Sequence, residues 1–278
     1  MKSLAFLKIL FIGLILIILF SPLYPSLFER FQARDSYYSH GFLIPFVSFY
    51  LIWRKRNKIS SLVAKPNLLG LAVVLGGLVL YIISLFIRIN FTGYLSIPIV
   101  IWGIILYLGG WQIAKELFFP IGFLIFMLPL PKVLIIAIAF KLKILVAQVS
   151  TFLINSIGIE AKRVGSTIYY PGGHLLVGDP CSGLRSLISF LALGALLTQF
   201  IHGSFLKKGL FFLLAFPIAF ISNIIRIVLL LLVSYIYGEK VALGFFHDFS
   251  GMMVFILGFL GLLALTKLLK CHHLIRAT

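Results

Sequence analysis

Acidic residues are scarce in this chain of 278 residues. Seven Asp and Glu stand against 24 Lys and Arg, and charged residues of both signs make up only 11%. Soluble domains carry about 25% charged residues, so a water-clothed globular domain is excluded. Cysteine is scarce too: Cys181 and Cys271 are the only two, too few for a disulfide framework. No internal repeat and no low-complexity linker breaks the chain, which points to one domain over residues 1–278. What is abundant is hydrophobicity, at 62% of residues and a mean hydropathy of +1.15. The expected class is all-α, a polytopic integral membrane protein. The net charge of +17 would suit nucleic acid in a soluble protein. Here the Lys and Arg residues sit in short clusters between apolar runs, where membrane topology places them, so the expected partner is lipid and no nucleic acid.

The apolar runs predict about eight transmembrane helices. Residues 1–20 open with Lys2 and Lys8 and lack a small-x-small cleavage site, which predicts an uncleaved first span with its N-terminus inside. Residues 42–53 return across and stop at Arg54-Lys55-Arg56-Asn57-Lys58, the strongest basic cluster. Further spans are expected over 68–87, 94–111, 117–130 (short and bounded by prolines), 184–201, 209–237 and 246–265. Residues 132–157 are long enough to cross, yet Lys141, Lys143 and Gln148 interrupt them. That favours a helix lying on the outer interface. Around Pro171-Gly172-Gly173, β-branched and aromatic residues on both sides predict a short β-hairpin just before Cys181. This arrangement puts more than half of the 24 basic residues inside, along with both chain termini. It puts Cys181, the hairpin and His247 on the extracytoplasmic side of the cytoplasmic (inner) membrane.

The informative polar residues are few. Gly178-Asp179-Pro180-Cys181-Ser182-Gly183-Leu184-Arg185 sets a thiol directly before a long apolar run. Pro180 suits a helix start, which would put Cys181 in the first turn, where free amides and the helix dipole favour negative charge. Arg185, four residues on, would share that face. The alternative is a small buried cysteine at a tight turn. In residues 218–233, Ser222, Asn223 and Arg226 are the only polar side chains. A charge in a span costs about 2.5–3.5 kcal/mol on insertion scales and needs a reason. Asn223 and Arg226 share a helix face, so Arg226 either faces Cys181 or reaches to headgroups. His247 opens the last span and suits general acid–base work, or a structural role. Asp248, one residue on, points about 100° away on a helix and is a poor orienter for His247, better suited to capping. His40, His174 and Asp179 are weaker candidates, and Cys271-His272-His273 makes a thin case for a metal or an acyl group.

Cys181-Ser182-Gly183-Leu184-Arg185 resembles the nucleophile motif of the exosortase/archaeosortase family of membrane transpeptidases. Asn223-Ile224-Ile225-Arg226 resembles that family's Asn-x-x-Arg segment, and His247-Asp248-Phe249-Ser250-Gly251 its His segment. Tyr38-Ser39-His40-Gly41 resembles its N-terminal signature. The resemblance implies a cysteine peptidase or transpeptidase with Cys181, Arg226 and His247 as catalytic residues. Arg185, Asn223, Asp248 and His40 would support them, and no metal or organic cofactor would be needed. It implies as partners exported proteins that end in a short motif of PEP-CTERM type, a membrane helix and a basic tail. The alternative from another class is a transporter or lipid flippase in which Arg226 and Asn223 line the path, although no matched inverted halves are evident.

Overall fold

The computed structural model describes residues 2–33 and 36–269. Its contacts divide the chain into two compact units that meet after Pro131.

The first unit holds α1 (Lys2–Leu19), α2 (Tyr24–Gln32), α3 (Ile44–Arg54), α4 (Arg56–Ser60), α5 (Leu69–Ile87) and α6 (Asn90–Phe123). Its largest interface joins α5 to α6. The sequence explains why. On α5, Gly70, Gly77, Tyr81 and Ser84 are buried, while Leu71, Leu75, Val79, Ile82 and Phe86 are exposed. Small and polar groups turn inward and large apolar ones outward, the reverse of a water-soluble helix. Small residues let backbones approach without a hydrophobic drive between helices. A Cβ on Gly77 would stand 2.7 Å from Val100 Cγ2, and one on Gly103 would stand 2.9 Å from the Val74 amide nitrogen. Helix α6 breaks at Gly110, whose φ of 78° is open to glycine but strained for other residues. A side chain there would also run into the Lys65 carbonyl.

The second unit holds α7 (Lys132–Ser156), β1 (Lys162–Val164), β2 (Thr167–Tyr170), β3 (Gly173–Leu176), α8 (Leu184–Leu197), α9 (Phe205–Tyr237), α10 (Glu239–Leu243) and α11 (Phe245–Leu268). The strands form an antiparallel meander in the order β1-β2-β3. It contains the pairing expected around Pro171-Gly172, with Ile168 opposite Leu175 and Tyr170 opposite Gly173, and adds β1 as a third strand. Alternation decides which face is buried. Ile168, Tyr170, Leu175 and Val177 point inward and join Val146, Ala147 and Ile154 of α7 and Ile227, Leu230 and Leu231 of α9 in one core. Tyr169, His174 and Leu176 point outward. The Tyr170 hydroxyl reaches Ser234 Oγ, which ties β2 to α9. Helix α9 packs against α11 and α8, again at small residues. A Cβ on Gly261 would stand 2.9 Å from Ile218, and one on Gly194 would stand 2.9 Å from Ala215.

Among the described residues, five helices are long and apolar enough to cross a membrane: α5, α6 continued to Met127, α7, α9 and α11. A sixth is possible if Leu10–Leu19 and Ser21–Gln32, bent by 48°, form one span. The protein is therefore a helical, multi-pass membrane protein with five or six candidate spans instead of eight. Three physical reasons account for the difference. Helix α3 has 11 residues, about 16 Å at 1.5 Å per residue, against a hydrocarbon core of about 30 Å. Helix α8 has 14 residues and falls short in the same way. The runs 94–111 and 117–130 belong to one kinked element. In the opposite direction, α7 is a continuous helix of 25 residues that qualifies as a span, where an interfacial helix was expected. Its Lys143 does not face water alone: it pairs with Asp179 at 3.0 Å. Lys207 and Lys208, expected in a loop, lie in the first turn of α9.

Candidate active site

Cys181 does not sit in the first turn of the long helix. Asp179–Cys181 forms a single 3-10 turn, and α8 begins only at Leu184. Gly183 separates the two, with a φ of 82°. A long helix through Cys181 is therefore excluded by the left-handed residue at its N-cap. The chain turns there for a second reason. A Cβ on Gly183 would stand 2.6 Å from Asn223 Nδ2, so only glycine admits the approach of α9. Asn223 is 1% exposed, and its Nδ2 donates to the Cys181 carbonyl at 3.0 Å. Asn223 thus holds the backbone that carries the thiol. Asp179 does not cap α8, since its carboxylate accepts from Lys143 on α7.

The thiol is 7% exposed and faces α11. Cys181 Sγ lies 3.3 Å from His247 Nε2. Arg226, on α9, points its guanidinium at the same ring. Its Nη2 lies 3.2 Å from His247 Nε2 and also donates to the His247 carbonyl at 3.2 Å. Its Nε donates to Ser250 Oγ at 3.0 Å, and that hydroxyl donates to the His247 carbonyl at 2.8 Å. Three residues from the 3-10 turn, α9 and α11 therefore meet at one nitrogen.

Donor chemistry fixes the tautomer in this arrangement. A guanidinium has no acceptor, so Arg226 contacts Nε2 as a donor, and Nε2 carries a lone pair. Its proton is then on Nδ1, and the Cys181 S–H can donate to Nε2 as well. The ring stands ready to accept a proton from sulfur. Arg226 touches the base, where the sequence had suggested that it faces the thiol.

The other predicted residues fall in different places. Arg185 is in the first turn of α8 and lines a cavity of about 330 Å³ together with Arg226 and His247. Asp248 lies on α11, but its side chain is outside the described residues, as are Cys271, His272 and His273. His174 is exposed on β3, stacked on Tyr169 and 3.9 Å from Glu239. His40 belongs to the first unit, where its Nε2 lies 3.3 Å from the Phe126 carbonyl. Burial holds its pKa below the ordinary value of 6.5, and that hydrogen bond partly offsets the effect.

Two contributors carried no signal strong enough to assign in advance. Ser250 is 1% exposed and joins Arg226 to the α11 backbone. It stands one turn after His247, and that spacing was the available clue. Gly183 looked like an ordinary turn residue, and only the Asn223 contact shows what it permits.

No curated protein and no solved structure matches the chain. The family description transmembrane exosortase (Exosortase_EpsH) matches residues 32–264, which span both units and every motif residue from Tyr38 to Gly251. By that match, the chain belongs to the transmembrane exosortase family.

Proposed function

We propose that the protein is a membrane-embedded cysteine transpeptidase that cleaves the C-terminal sorting signals of exported proteins and passes them to a cell-envelope acceptor. The observation that carries this reading is the 3.3 Å contact between Cys181 Sγ and His247 Nε2. A nucleophile and a base within hydrogen-bond reach are the signature of covalent catalysis. The thiol proton passes to His247 Nε2, and sulfur adds to the scissile carbonyl carbon. A guanidinium beside a newly protonated ring is repelled, so Arg226 Nη2 turns from Nε2 toward the oxyanion. His247 then gives its proton to the leaving amine as the C–N bond breaks, which leaves a thioester on Cys181. An acceptor amine resolves the thioester to an amide, whereas water would release an acid. Asn223 and Ser250 hold the sulfur and the guanidinium in place and touch no reacting atom.

The site lies on the extracytoplasmic face of the inner membrane in this reading, with the whole chain acting as one domain. Support comes from the distribution of basic residues along the sequence. A transport path along Asn223 and Arg226 has less support, because Asn223 is buried and spent on the Cys181 carbonyl.

The test is co-expression with a tagged exported protein that ends in a motif, a membrane helix and a basic tail. Cys181→Ala and Cys181→Ser should abolish processing while the enzyme stays in the membrane. Processed product at wild-type level from the Ala variant would remove the cysteine mechanism.

A further inference from the structure

The cavity beside His247 contains a cation that catalysis does not use. It has a volume of about 330 Å³, within the usual range of about 300–1,000 Å³ for ligand sites. Arg185 and Ser186 of α8 line one side, Arg226 and His247 another, and Met252 and Phe255 of α11 supply apolar wall. Arg226 is held by Ser250 and His247. Arg185 differs. Among the described residues its Nε is buried and has no hydrogen-bond partner. A buried guanidinium nitrogen left unpaired costs the full desolvation of a charged group, about 1–3 kcal/mol or more. Such a group is retained where a ligand completes it. The charged and titratable groups lining the cavity are Arg185, Arg226 and His247, with no acid among the described ones.

We propose that Arg185 is the anchor of a carboxylate subsite, which receives an acidic side chain of the bound polypeptide next to the bond that Cys181 attacks. A planar guanidinium matches a carboxylate with two parallel hydrogen bonds, and apolar walls beside it strengthen that pair. Met252 and Phe255 accommodate the methylene stem of the same side chain. Arg185 is a positioning and specificity residue in this assignment, since it touches substrate away from the reacting atoms. The subsite deepens the transpeptidase reading and rests on it for the identity of its occupant. The anion preference itself is measurable without any peptide processing.

The experiment compares two small alkylating reagents on the purified full chain in phosphatidylcholine nanodiscs. Iodoacetate carries the carboxylate and iodoacetamide is its neutral counterpart. A Cys271→Ala background leaves Cys181 as the sole thiol. Each rate is divided by the same reagent's rate with free glutathione. With Arg185 in place, the iodoacetate rate should saturate with concentration while the iodoacetamide rate rises linearly. Arg185→Gln should lower the normalised iodoacetate rate about tenfold, the kinetic equivalent of one charge-assisted hydrogen bond, and spare iodoacetamide. Linear kinetics for both reagents in the unsubstituted protein would overturn the subsite, even if the variant fails to fold. An equal loss with both reagents would assign Arg185 to the sulfur itself and overturn it too. Phospholipid phosphate is the other source of such an anion. Selectivity that vanishes in phosphatidylglycerol nanodiscs would give the cavity to lipid and remove the polypeptide carboxylate. If Cys181→Ala still processes substrate while the alkylation preference holds, the transpeptidase reading fails and the anion site stands.

Discussion

Replacing Gly183 by alanine should damage the site through Asn223, and the size of the damage can be worked out. Gly183 has a φ of 82°, so an L side chain costs about 1–2 kcal/mol in backbone strain alone. The new Cβ would stand 2.6 Å from Asn223 Nδ2, where ordinary contact begins near 3.4 Å. Asn223 must therefore retreat by about 0.8 Å, the difference between those distances. Its bond to the Cys181 carbonyl, now 3.0 Å, would not survive that shift. A buried carbonyl left without its donor costs about 1–3 kcal/mol. The expected destabilisation is about 2–4 kcal/mol in all. Misplacement of a reacting group by about 1 Å can cost about 10²-fold in rate. The assay is thermal unfolding in detergent and processing of a tagged substrate, on Gly183→Ala, Asn223→Ala and the double variant. With Asn223→Ala already present, the remaining Cβ lies 3.2 Å from the new methyl and needs to give only a few tenths of an ångström. Gly183→Ala should then cost only its backbone strain, and the two changes should be non-additive by about 1–3 kcal/mol. Additivity within about 0.5 kcal/mol would refute the argument that Asn223 holds the thiol backbone against Gly183.

Other outcomes follow from the same geometry. Arg226→Lys should lose about 10²–10³-fold in processing rate, because an ammonium cannot serve Ser250, the His247 carbonyl and an oxyanion with one planar fork; a rate within about threefold of wild type would leave Arg226 as a membrane anchor. A membrane-impermeant thiol reagent on intact cells should label Cys181 and spare Cys271, and labelling of Cys271 alone would invert the topology. His40 is held below its ordinary pKa by burial, so the unfolded chain binds the proton more readily. Stability should be full above about pH 7 and fall as pH drops through the ordinary value of 6.5 toward the lower folded value. The thermal midpoint should therefore drop less between pH 7.5 and 5 in His40→Gln than in wild type, and equal drops would remove His40 as the source.

The sequence alone determined the membrane class, because 62% hydrophobic residues with 11% charged cannot cover a soluble surface. It marked Cys181, Asn223, Arg226 and His247 as well. Polar groups inside apolar runs are costly enough to stand out, and their order matched one family. Helix α5 was legible for the same reason, as an unbroken apolar run without a kink. What the sequence did not determine was span count, since hydropathy registers apolar length but not where backbone geometry breaks it. Gly110 and Gly183 take left-handed φ values because of neighbours that are distant in sequence, Lys65 and Asn223. Those contacts make one kinked element of α6 and cut Cys181 away from α8. Lys143 reads as a flaw in a span until Asp179 is seen beside it. Likewise Arg226 had a face in the sequence but no partner. Only the packing of α9 against α11 brings it to the His247 ring, because the atom a long side chain reaches depends on which helix lies opposite.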